Sequence, residues 1–89
     1  MSNFFEQLPL DASEQLELLS RLVFELRENR KQVLQQHGVD SEADLLDLVR
    51  SGAVSEHPGY DHYLAARVLA ATQQALRSQL RAITVELGG

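Results

Sequence analysis

The chain has 89 residues, 44% of them hydrophobic, with a formal net charge of −5 and no cysteine. Those totals fit one small globular domain and exclude disulfides and thiolate metal sites. The acidic balance argues against direct nucleic-acid binding, which needs clustered Lys and Arg.

Sixteen leucines and nine alanines, with no tryptophan, make a helix-forming composition. The opening MSNFFEQLPLD lacks a basic start and a long apolar run, so no secretory signal is expected. No apolar stretch approaches the ~18 residues of a membrane span. A cytoplasmic location is the simple expectation, without membrane, cofactor or small-molecule substrate. Charge is uneven along the chain. Residues 38–59 carry Asp40, Glu42, Asp44, Asp47 and Glu56 against Arg50 alone, while residues 12–37 balance.

Residues 1–10 read as an N-terminal arm, in which NFFEQL forms a short amphipathic turn. Pro9 stops it, Asp11 caps the first long helix, and Glu14 stands three residues on, as a capping box asks. That helix covers about 12–37 and ends at Gly38. At about 100° per residue, Leu16, Leu18, Leu19, Leu22, Val23, Leu26, Val33 and Leu34 share an arc roughly 160° wide. Such a strip faces two neighbours. Phe24 lies off it, among Glu17, Glu28 and Lys31, where it is an interface residue, a seat for Phe4 and Phe5, or a lone exposed aromatic. Asn29 and Arg30 interrupt the apolar strip, the kind of polar break that sets register in bundles.

VDSEADLLDLVRSG predicts a short helix over 41–51, capped by Asp40 or Ser41 and ended by Gly52. Asp40, Glu42 and Asp44 imitate the first ligands of a calcium loop. Leu45 and Ser51 stand where that loop needs Gly and Glu, so the likeness fails.

A third helix is predicted over 60–87. Leu69, Leu76 and Ile83 repeat every seven residues, and Leu80 and Leu87 repeat that interval one position round. Ala65, Thr72 and Gln79 fill between, and Leu64, Val68, Ala75 and Ala82 widen the face to about half the circumference. Thr72 and Gln79 could also set register.

The stretch SEHPGYDHY, residues 55–63, concentrates the chemistry-bearing side chains. His57 and His62 are five apart across a Pro-Gly bend, about 140° round a helix, which does not suit a metal pair. An antiparallel hairpin would bring His37 near, giving a candidate site of His37, His57, His62 and Asp61. Ser55, His57 and Asp61 on one bend make a poor triad. The favoured reading is structural: Ser55 or Asp61 caps the helix, and Tyr60 and Tyr63 cover the hairpin's end with wet hydroxyls.

LPLDASEQLELLSRLVFEL resembles the Leu-Pro-led helix of small antitoxin components, and the plan of two matched helices with an acidic middle is similar to small co-chaperones of type III secretion. Neither likeness rests on a specific motif, so neither assigns a family. The expectation is one all-α domain over 1–89, an antiparallel hairpin of two long helices with a short linking helix. It dimerises into a four-helix-bundle-like assembly or accepts a partner's helix; a three-helix monomer is the alternative. Its work is protein–protein interaction without catalysis. Phe24, Tyr60 and Tyr63 are the expected partner-binding residues, with Asn29 and Gln79 setting register. A small metal-binding protein and an antitoxin-like regulator are the alternatives.

Overall fold

A computed structural model describes residues 11–88 of the chain. Three helices follow one another: α1 (Ala12–Gln35), α2 (Glu42–Arg50) and α3 (Glu56–Gly88). No strand occurs among the described residues. The N-terminal arm, with the expected turn at Phe4 and Phe5 and their contact with Phe24, lies outside the described residues.

The helix ends reflect local chemistry. Asp11 accepts the Glu14 N–H at 2.8 Å and so satisfies one free donor of α1. Ser41, rather than Asp40, does the same for the Asp44 N–H at 3.2 Å at the start of α2. Gly38 (φ 71°) and Gly52 (φ 80°) end α1 and α2 in the left-handed region, where a Cβ would be strained. After Gly38 the chain folds back so that the Val39 N–H donates to the Leu34 carbonyl at 3.3 Å.

α3 begins four residues earlier than expected, at Glu56 rather than Tyr60. His57 interrupts its first turn with extended dihedrals (φ −113°, ψ 108°), and the His57–Pro58 peptide is cis. Neither expected side-chain cap forms there. The Ser55 hydroxyl donates to the His57 carbonyl at 2.6 Å, and Asp61 pairs with the His57 ring.

α1 and α3 pack antiparallel. Leu34 near the end of α1 shares a cluster with Ala66 near the start of α3, whereas Leu19 shares one with Ile83. α2 joins the first cluster through Leu45, with Val39, Val49 and Tyr63 around it. The second cluster has only two helices, drawing on Leu16, Leu22, Leu76 and Leu80. Between the clusters stands Gln73, 8% exposed. In this register it falls opposite the turn of α1 that carries Leu26 and Arg30. A polar layer therefore divides the core. Asn29, expected to set register, is exposed, and Gln79 is half-buried.

The width of the α3 apolar face has a specific cause. Residues 62, 66, 69, 73, 76, 80 and 83 alternate spacings of four and three, and every one is buried or half-buried. That inner seam faces α1. Residues 64, 68, 71, 75, 78, 82 and 85 alternate in the same way, and every one is exposed. This outer seam reads Leu64, Val68, Ala71, Ala75, Ser78, Ala82, Val85. It starts two residues on from the inner one, about 200° round the helix, so the seams look in nearly opposite directions.

Candidate functional site

The bend between α2 and α3 is the polar centre of the molecule. Gly59 is buried there, and a Cβ on it would stand 2.6 Å from Val54 Cγ1 and 3.0 Å from Val49 Cγ2. Only glycine allows α3 to start this close to the end of α2. The Gly59 N–H donates to the Ser55 carbonyl at 3.0 Å.

The four candidate metal ligands fall into two separate pairs. His37 Nε2 and His62 Nδ1 lie 2.9 Å apart, with ring centroids 5.1 Å apart and planes at 58°. One imidazole donates its N–H to the bare nitrogen of the other, so His37 Nε2 and His62 Nδ1 are engaged with each other. His57 Nδ1 instead meets Asp61 Oδ2 at 3.0 Å, on an exposed turn. That hydrogen bond and the carboxylate charge hold the His57 imidazole above its ordinary pKa, with a smaller push from Glu56. Among the described residues, no three His, Asp or Glu side chains converge to hold a metal ion. A triad is absent for a related reason: the Ser55 hydroxyl binds a carbonyl, not the His57 ring.

Tyr60 and Tyr63 stack over the bend, centroids 5.7 Å apart and planes at 26°. Arg67 extends over the Tyr63 ring, 5.7 Å from its centroid, and its Nη1 donates to the Tyr63 hydroxyl at 3.4 Å. Tyr60 is exposed, whereas Tyr63 is half-buried and packs on the Leu34–Leu45–Ala66 cluster. Glu42 in the first turn of α2 takes the Arg30 guanidinium of α1, tying two helices together, while Arg30 Nε is buried without a hydrogen-bond partner. Of the acids of the middle segment, Glu42 and Asp44 stand in the first turn of α2 and Glu56 in that of α3, and Glu42 also makes the cross-helix pair.

Phe24 is 55% exposed, with the Arg27 guanidinium 5.7 Å from its ring centroid. It stands on the side of α1 turned away from α3, as its position among polar residues implies. The outer seam of α3 presents the larger apolar surface. Leu64, Val68 and Val85 are 42%, 64% and 67% exposed, with exposed Ala71, Ala75, Ser78 and Ala82 between them. Sequence reasoning assigns Leu64, Val68, Ala75 and Ala82 to the same face as Leu69 and Leu76. The signal that separates them is present in the two interleaved seven-residue repeats.

No helix among the described residues is long and apolar enough to cross a membrane. No curated protein and no solved structure matches the chain. Residues 12–87, which span all three helices, match the family described as Uncharacterized protein MJ0235 family. The chain therefore belongs to the MJ0235 family.

Proposed function

We propose that this protein is a non-catalytic helical interaction module whose docking surface is the outer seam of α3. One observation carries the reading: α3 has two largely apolar seams, broken only by His62 and Gln73 on the inner one and Ser78 on the outer, and the described residues cover one of them. A helix exposed to water on one side ordinarily carries a single apolar stripe and a polar back. Leaving Leu64, Val68 and Val85 exposed in line along ~30 Å of helix is the pattern of a partner-binding face. The polar groups near the bend support the same view. His37 pairs with His62, His57 with Asp61 and Arg67 with Tyr63, while Glu42 holds Arg30 across two helices, which is structural work.

The test combines two measurements on the full chain, sedimentation at ~100 μM and co-purification from the source cells. The expected result is an assembly, with itself or another helical protein, that Val68→Glu abolishes while Glu17→Ala leaves it intact. Val68 is exposed, so far-ultraviolet circular dichroism of the variant should match the parent. An assembly indifferent to Val68→Glu, or none at all, refutes the reading.

A further inference from the structure

We propose that the outer seam of α3 pairs with the same seam of a second copy of this chain, the two helices running parallel and in register. This rests on the reading of the seam as a docking face and goes further by naming its occupant.

The seam is a three-heptad strip with spacings of four, three, four, three, four and three, the period that keeps one helix facing another along a coiled coil. Its middle is small (Ala71, Ala75, Ser78, Ala82), and its bulk sits at the ends (Leu64, Val68, Val85). Small central residues let two backbones approach closely, and larger ones fill the space where straight helices diverge. A copy of the same strip meets both requirements at once.

The area agrees. At the exposures of Leu64, Val68 and Val85, with the exposed alanines, the seam offers on the order of a few hundred Å² of mostly apolar surface. A standard interface buries about 800 Å² per partner, roughly 60% of it apolar, which is close to 480 Å².

The flanks decide the direction. One side of the seam carries Arg67, Gln74 and Arg81, and the other carries Ala65, Thr72, Gln79 and Glu86. In a parallel pair each flank meets the opposite flank of its mate, five residues further on. Arg81 then faces Glu86 of the second copy, and Gln74 faces Gln79, each contact occurring twice by symmetry. In an antiparallel pair centred on Ala75 each flank meets itself. Arg67 then comes within about two residues of level with Arg81 of the mate, and like charges oppose. Neither Arg81 nor Glu86 has a charged partner within its own chain among the described residues. Asp61 occupies the next seam position toward the N-terminus, where His57 answers its charge in the same chain and the strip ends.

Because the chain has no cysteine, a single one reports direction. In the parallel arrangement two copies of Ala82→Cys place their Cα atoms about 6 Å apart, within disulfide reach. In the antiparallel arrangement they stand about 21 Å apart, and the new thiol lies instead beside position 68 of the mate. The expected results are a dimer of the full chain by sedimentation equilibrium between ~1 and ~200 μM and ready oxidation of Ala82→Cys to a covalent dimer. Ala75→Glu should raise the dissociation constant at least ~100-fold with unchanged helicity, since Ala75 is exposed in the single chain. Arg81→Glu should weaken association about 3- to 10-fold, and adding Glu86→Arg should restore it. Cross-linking of mixed Val68→Cys and Ala82→Cys chains, without covalent homodimers of Ala82→Cys, overturns the parallel arrangement. A monomer at ~200 μM overturns the second copy altogether. If that monomer still co-purifies a protein lost on Val68→Glu, the docking reading stands and only this inference fails.

Discussion

Replacing Gln73 by leucine should stabilise the hairpin by about 1–2 kcal/mol. Gln73 is 8% exposed on the inner seam of α3, between the cluster of Leu34, Leu45 and Ala66 and the cluster of Leu19 and Ile83. Its two methylenes are already covered, so leucine adds about two further buried carbons, roughly 1.6 kcal/mol at ~0.8 each. It also removes an amide whose desolvation costs about 1 kcal/mol or more when it lacks full hydrogen bonding. Imperfect fit of a branched side chain returns up to ~1.5 kcal/mol of that gain. For a chain of this size, 1–2 kcal/mol corresponds to a rise of roughly 4–16 °C in Tm. Urea unfolding monitored at 222 nm should show a higher midpoint with an unchanged slope. An Ala75→Glu background separates this effect from self-association. A lowered midpoint would mean that the amide bonds across the helix pair and that the core is continuous through it, refuting the divided-core argument. A changed slope would instead report a change in the surface exposed on unfolding or a loss of two-state behaviour.

Gly59→Ala forces a methyl against Val54 and Val49, and should cost about 1–3 kcal/mol through displacement of α2 from α3, read as a lower urea midpoint. The His57 ring should titrate above the ordinary histidine value of 6.5 by nuclear magnetic resonance, and Asp61→Asn should lower it, because the carboxylate causes the shift. A pKa raised by folding means that the pair's contribution is fully present below 6.5 and fades as pH rises through the folded-state value. On this exposed turn that contribution is small, and a strongly pH-dependent Tm traced to His57 would contradict the assignment. Phe24→Ala should change stability by less than about 0.5 kcal/mol, since the ring is exposed. If it unfolds the chain, Phe24 is core.

The helical plan is legible because α1 and α2 carry their own start and stop chemistry. Asp11 and Gly38 bracket α1, Ser41 and Gly52 bracket α2, and leucine spacing supplies the packed faces. The start of α3 is harder to place because Pro58 and Gly59 read as a bend, whereas the helix begins before them and bends within its first turn. Pairing of His37 with His62 depends on antiparallel register, which places residues 25 apart in contact. Topology alone brings these rings to one end of the hairpin, but it does not choose a partner for each. Gln73 escapes notice because one polar residue in a leucine-rich repeat reads as surface until the seam is aligned with α1. The broad apolar face of α3 reads as one surface, although its residues belong to two strips with opposite aspects.

The unequal ends of the hairpin also order its assembly. Bringing Leu34 to Ala66 encloses half as many residues as bringing Leu19 to Ile83, a saving in closure entropy of about 0.6 kcal/mol. The nearer contact also recruits Leu45 from between them. The chain should therefore zip from the bend toward its termini, and the free ends of α1 and α3 should exchange their amide hydrogens first.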